Sequence, residues 1–219
     1  MPRDSNPTKL QNTLRLHFCA ICGIIPASIG RHCAVFFYCP AFRGIFYLRG
    51  VKMQISDNGL NKLKQLEGAV KIADRHVIYD DATGRPIAPN APLPRGATIG
   101  YGHLIKSGEN FTDGLTERAA TELLRQDVRT AQRAVQNSIT ANLTQNQYDA
   151  LVMLAYNIGA QNFSESTVVK YINNPDFHSA VYPNLESAWL AWNRYNGVVS
   201  DGLISRRRQE WNMYIGGVY

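Results

Sequence analysis

Past residue 52 the chain contains no cysteine and its charges cancel, and this constrains what the long second part can be. Residues 53–219 hold sixteen basic and sixteen acidic residues. Residues 1–52 carry seven Lys or Arg, one acid (Asp4) and all four cysteines, Cys19, Cys22, Cys33 and Cys39. The net charge of +6 therefore sits entirely in the leading segment. A nucleic-acid binder shows a basic stripe or patch, and the balanced body does not read as one. A body without cysteine needs no oxidising compartment to fold, and it is long enough to bury a core without disulfides or metals.

The chain thus divides into an N-terminal extension, residues 1–52, and a body, residues 53–219. In the extension, Phe18 to Gly30 is apolar but only 13 residues long, short of the roughly 20 that span a bilayer. Arg31 and His32 interrupt the apolar run, which resumes from Cys33 to Phe42. Several readings stay open. The segment is a leader upstream of a true start at Met53, a signal peptide with small residues near Ala27 and Ser28, or a membrane tether that tolerates Arg31. A zinc site built on Cys19-x2-Cys22 is a weaker reading, because the paired spacing of a known finger is missing.

The body alternates in period. Ser56 or Asp57 can cap a helix that carries Leu60, Leu63 and Leu66 and closes at Glu67 and Gly68. Residues 76–105 are strand-like and turn-rich, with Gly and Pro concentrated between Gly84 and Gly96. Helical periodicity follows. One helix is predicted from Thr116 to Asn137, and another after a capping box at Thr144 and Gln147, ending at Gly159. Further helices fit Ser166–Asn173, Leu185–Tyr195 and Asp201–Ile215. A helix, a small sheet and then several helices is an α+β layout.

The chemistry available to such a body is narrow. It has no thiol, no nucleophile elbow and no phosphate loop, and His76, His103 and His178 lack metal-ligand spacing. Carboxylates remain. Glycoside hydrolysis needs a protonated acid beside the leaving oxygen and a second polar group that places water or stabilises positive charge. Glu67 stands where an apolar helix meets a sheet, where partial desolvation would keep a carboxyl protonated. Asp80 and Asp81 follow on a strand end and Thr98 on the next strand. A helix-terminal Glu is ordinarily a solvated charge, and an Asp in a turn is common for backbone reasons, so the combination carries the reading.

Leu66-Glu67-Gly68, Tyr79-Asp80-Asp81 and Thr98-Ile99-Gly100-Tyr101-Gly102-His103-Leu104 together resemble the phage lysozyme family typified by the T-even phage enzyme, glycoside hydrolase family 24. The resemblance continues through Asp149-Ala150-Leu151, Tyr156-Asn157-Ile158-Gly159 and Gly202-Leu203 with Arg206-Arg207, Glu210 and Tyr214, and covers about residues 53–219. It implies a small α/β lobe and a larger helical lobe that share a long helix and flank a cleft. It implies Glu67 as general acid, Thr98 holding the attacking water and Asp81 orienting that water or stabilising charge. Leu104, Tyr156 and Ser166 match substrate-contact positions, and His103 a structural histidine. Glu67 to Asp81 spans 14 positions and Asp81 to Thr98 spans 17, both longer than is usual in the family. This leaves Asp80 and Asp81 as alternatives for the second carboxylate, with Asp81 preferred for its offset from Tyr79, and leaves retaining and inverting outcomes open.

Trp189, Trp192 and Trp211 read as core on their helical spacing rather than as sugar platforms. Arg206-Arg207-Arg208 reads as a solvated basic turn with one buried structural arginine. The function implied by the resemblance is that of an endolysin. It would cleave the β-1,4 bond between N-acetylmuramic acid and N-acetylglucosamine as a monomer, without metal or organic cofactor. The protein would accumulate in the host cytoplasm and reach the wall through a holin pore or by export on the extension. A lytic transglycosylase, a non-catalytic wall-binding protein and a chitin-active glycosidase are the rivals.

Overall fold

The computed structural model describes residues 52–219, together with three two-residue strands in the preceding segment. These strands, β1 Ile24–Ile25, β2 Phe36–Phe37 and β3 Phe46–Tyr47, pair antiparallel in that order. The chain forms two compact units, Met1–Val51 and Lys52–Tyr219. The cysteine-based and targeting readings of the extension lie outside the described residues. Among those residues no helix is long and apolar enough to cross a membrane, and no His, Cys, Asp and Glu cluster is disposed to hold a metal.

The second unit opens with α1, Asp57–Glu67. Ser56 is its N-cap, its hydroxyl accepting from the Gly59 N–H at 3.0 Å. Leu60 and Leu63 bury the apolar face. Gly68 stops the helix at φ 67°, a left-handed backbone that glycine reaches without a Cβ clash. Short strands follow: β4 Lys71–Ile72 pairs with β5 Arg75–His76. A four-stranded antiparallel sheet then runs in the order β7-β6-β8-β9, from β6 Tyr79–Asp80, β7 Arg85–Pro86, β8 Ala97–Ile99 and β9 His103–Leu104. Its register places Thr98 opposite both Tyr79 and Leu104.

The predicted helix from Thr116 to Asn137 is two helices, α2 Glu117–Asp127 and α3 Arg129–Ser138, which meet at Val128. Buried Ala120, Leu124, Val128, Ala131 and Val135 keep helical spacing straight through the junction, so periodicity alone cannot reveal it. The shared long helix implied by the family resemblance is this broken pair.

The helical region centres on α4, Gln145–Ile158, whose residues Tyr148 to Ala155 are all buried. A helix buried along most of its length belongs inside a domain, and α4 packs against α1, α3, α5 (Ala160–Glu165) and α8 (Asp201–Gly216). The capping box of Thr144 and Gln147 is formed. Ser166 caps α6, Thr167–Asn173. The predicted helix Leu185–Tyr195 stops early: α7 is Leu185–Leu190, and an antiparallel hairpin follows, β10 Arg194–Tyr195 and β11 Val198–Val199. Asn196 and Gly197 turn that hairpin at φ 49° and 79°, and an Asn-Gly pair is a strong hairpin signal that outweighs the helical spacing of the preceding tryptophans. Trp189 is fully buried, with Trp211 and Tyr214 packed around it, as the core reading expects.

Candidate active site

Glu67 is the last residue of α1, and its side chain is 18% exposed. Its two oxygens have different surroundings. Oε1 accepts from Arg206 Nη2 at 2.8 Å. Oε2 looks toward Gly102, where a Cβ would stand 3.7 Å away. Gly102 has φ 87°, so its absent side chain serves both the turn and the open approach to the acid.

Arg206 lies on α8, and this corrects the reading of the triple-arginine run. Arg206 and Arg207 are both buried, Arg208 is exposed, and all three are helical. Arg206 Nε also donates to Glu210 Oε1 at 3.0 Å, and Arg207 Nη2 donates to the same oxygen at 2.9 Å and to Asn157 Oδ1 at 2.8 Å. Two arginines thus balance two glutamates in a water-poor site, which is the condition for tolerating buried charge. Burial pulls the Arg206 pKa down, but Glu67 and Glu210 outweigh it and leave it raised. Burial lowers that of Arg207 and raises that of Glu210, each against its ion-pair partners.

Tyr79 is the common neighbour of the predicted catalytic residues. Burial raises its pKa first, then the charges of Asp81 and Glu67, so both carboxylates bear on one phenol. Thr98 is its cross-strand partner. Thr98 is almost fully buried and its hydroxyl donates to Gly96 O at 3.0 Å, the carbonyl that also accepts from Asp81 N at 3.3 Å. With its proton committed to Gly96, the hydroxyl offers lone pairs to any water beside it.

The adjacent aspartates have different surroundings. Asp80 closes the turn after β6, accepting from Ala82 N at 3.0 Å and Thr83 Oγ1 at 3.0 Å. Asp81 is exposed and its carboxylate takes no part in that turn. Among the substrate-contact expectations, Tyr156 lies near the acid. Its pKa is raised by burial, then by Glu67 and Asp127, with Arg206 opposing. Leu104 is opposite Thr98 and 56% exposed. Ser166 is placed differently. It is buried, its hydroxyl accepts from Val169 N at 3.3 Å as a helix cap, and the depression it lines with Tyr182, Trp192 and Arg194 includes none of Glu67, Asp81 or Thr98. His103 is buried with Nδ1 3.0 Å from Asp127 and Nε2 2.9 Å from Glu109, tying the sheet to the end of α2.

A second polar cluster escaped the sequence reading. Glu117, first in α2, accepts from Tyr101 OH at 2.5 Å, Lys71 at 2.9 Å and Lys64 at 3.1 Å, and faces His76 Nε2 at 3.0 Å. It joins α1, the β4–β5 hairpin and the Gly100–Gly102 turn. These partners hold its carboxyl far below the usual range, the Tyr101 hydroxyl first among them. Glu117 is separated by 46 and 53 positions from its lysines, beyond any local spacing rule.

The family model described as Phage lysozyme matches residues 75–210. The chain belongs to the phage lysozyme family. It is 35% identical over 166 residues to the endolysin of Salmonella phage P22, covering 74% of this chain and 99% of that protein. It is 33% identical over 165 residues to the endolysin of Bacillus phage B103, covering 75% of this chain but only 55% of that longer protein. Among solved structures, an endolysin from Escherichia coli O157:H7 phage FAHEc1 superposes with a TM-score of 0.58 at 32% identity, covering 77% of this chain and 98% of that one. Membership places the chain among the lysozyme-type glycosidases, and its mixed helical and sheet fold agrees with that of its structural neighbours.

Proposed function

We propose that this lysozyme-family chain is an endolysin that hydrolyses the β-1,4 bond between N-acetylmuramic acid and N-acetylglucosamine in bacterial peptidoglycan. The two-sided environment of Glu67 carries the reading. Arg206 fixes Oε1, and Oε2 faces the gap above Gly102, where the glycosidic oxygen would sit. Glu67 takes up a proton on Oε2 while Oε1 keeps its bond to Arg206, and delivers that proton to the leaving oxygen as the bond to the sugar carbon breaks. Water reaches the positive carbon held by Thr98, whose hydroxyl accepts one water proton in a hydrogen bond while its own points to Gly96. Asp81 takes the other water proton, or stabilises the charge developing on the sugar while the Glu67 carboxylate takes that proton. Tyr156 and Leu104 contact the glycan, and side chains with water suffice for the reaction, so no cofactor takes part.

We further propose that the protein accumulates in the host cytoplasm and acts on the wall after passing a holin pore, as a monomer. Glu67→Gln keeps shape and hydrogen-bonding capacity but holds no transferable proton. It should leave the circular dichroism unchanged and abolish clearing of a peptidoglycan suspension. Clearing at near-wild-type rate would remove Glu67 from the mechanism. Mass spectrometry of released fragments should show one water added per cleavage; anhydro products would identify a transglycosylase instead.

A further inference from the structure

We propose that Asp149 is a positioning residue for the acid: by fixing the first turn of α1 against α4, it sets where Glu67 stands at the other end of the helix. The inference rests on the reading of Glu67 as general acid.

Asp149 is fully buried in the second turn of α4. Its carboxylate is saturated. Oδ1 accepts from Ser56 N at 3.0 Å and Gln145 Nε2 at 2.8 Å, and Oδ2 accepts from the Ser56 hydroxyl and from Tyr219 OH at 2.7 Å. Ser56 is the N-cap of α1, and its hydroxyl also accepts from Gly59 N, so the carboxylate grips the helix through its own cap. The approach is close: a Cβ on Gly59 would lie 2.7 Å from Asp149 Cγ and Oδ2. Glycine at 59 therefore lets α1 lie directly on the carboxylate.

The geometry makes this distant grip matter at the acid. α1 has 11 residues and spans about 16 Å. Leu60 and Leu63 pack near its middle and act as a fulcrum. A tilt that lifts Ser56 swings Glu67 by a similar distance the other way. Arg206 holds Glu67 from α8, which packs on the same α4 that carries Asp149. Both ends of α1 are thus referenced to one buried helix. Polar atoms with this many partners hold geometry more tightly than apolar contact, because each bond is directional.

The test uses the full chain with Asp149→Asn and Gly59→Ala, measuring kcat and KM on a soluble peptidoglycan oligomer. Asp149→Asn weakens the grip. Gly59→Ala pushes the helices apart with Asp149 intact, so the test stands even if the first variant fails to fold. Val168→Ala, buried on α6, serves as a comparator that lowers stability without touching this grip. A misplacement of about 1 Å costs up to about a hundredfold, so kcat should fall about 10- to 100-fold in both variants while KM stays within about twofold. The comparator should keep kcat within about twofold. Near-full kcat in Gly59→Ala overturns the proposal, as does a rise in KM alone or an equal loss in the comparator. Glu67→Gln is run alongside. Its inactivity with a fully active Gly59→Ala sinks only the positioning role, whereas an active Glu67→Gln sinks the underlying assignment of the acid.

Discussion

Replacing Arg206 by Met tests whether the buried charges near the acid depend on one another. The variant removes the guanidinium that binds Glu67 Oε1 at 2.8 Å and Glu210 Oε1 at 3.0 Å, while keeping most of the apolar stem. Glu210, fully buried, keeps Arg207 at 2.9 Å; Glu67 loses its ion pair. Breaking a buried pair from one side costs about 3–5 kcal/mol, chiefly because the remaining charge stays desolvated. Arg207 still compensates Glu210, which places the loss near the lower end, about 3 kcal/mol. In a unit of this size each kcal/mol shifts Tm by about 2–4 °C, so the melting temperature should drop by about 6–12 °C. Differential scanning calorimetry near neutral pH measures it. Adding Glu210→Gln takes the ion-pair partner from buried Arg207 as well, so the double variant should lose about 3 kcal/mol more. A drop under about 2 °C in the single variant, or no further drop in the double, would refute the argument that these charges stand or fall together.

Two further outcomes are expected. Asp80→Ala should cost about 1 kcal/mol in a denaturant titration by freeing the turn after β6, and leave kcat intact, whereas Asp81→Ala should lower kcat about a hundredfold at unchanged stability; the reverse pattern would move the second carboxylate to Asp80. Glu117, with its folded-state pKa held far below the unfolded value of about 4.3, contributes stability that is complete above that value and lost as pH falls through the acid range toward the folded one. Its side chain is 49% exposed, so solvent screening limits the contribution to about 1 kcal/mol. Melting curves from pH 5 down to pH 2 should therefore fall more steeply for the wild type than for Glu117→Gln, and parallel curves would count against the network.

How much of this was legible in the chain depended on whether the deciding interaction was local. The caps work within one helical turn: Thr144 was readable from its capping-box pattern, and the structure takes Ser56 from the pair Ser56 or Asp57 that residue type left open. The Asn196-Gly197 turn was equally local but lay under a helical pattern of aromatics that suggested a longer α7. The junction at Val128 was not readable, since no Gly or Pro marks it and the apolar stripe runs through it. At the site, Glu67, Asp81, Thr98, Leu104 and Tyr156 came from the motif; Thr98 lies opposite Tyr79 and Leu104, and Tyr79 feels the charges of Asp81 and Glu67. Ser166 was matched on the same basis, but its hydroxyl caps α6. Arg206 stands four positions before Glu210, a spacing readable on a helix, yet the run of three arginines read as a solvated basic turn. Its second partner, Glu67, is 139 positions away, and only packing brings it near.

The carbonyl of Gly96 has a consequence for how such a chain tolerates change. It receives both the Asp81 amide and the Thr98 hydroxyl, so one carbonyl closes the base of the excursion from residue 82 to 95, whose first part is β7 paired with β6. Lengthening a surface excursion raises its closure cost only with the logarithm of its length. Segments can therefore be spliced into or trimmed from the stretch between β7 and Gly96, reshaping the surface there, while the aspartate and the threonine keep their separation.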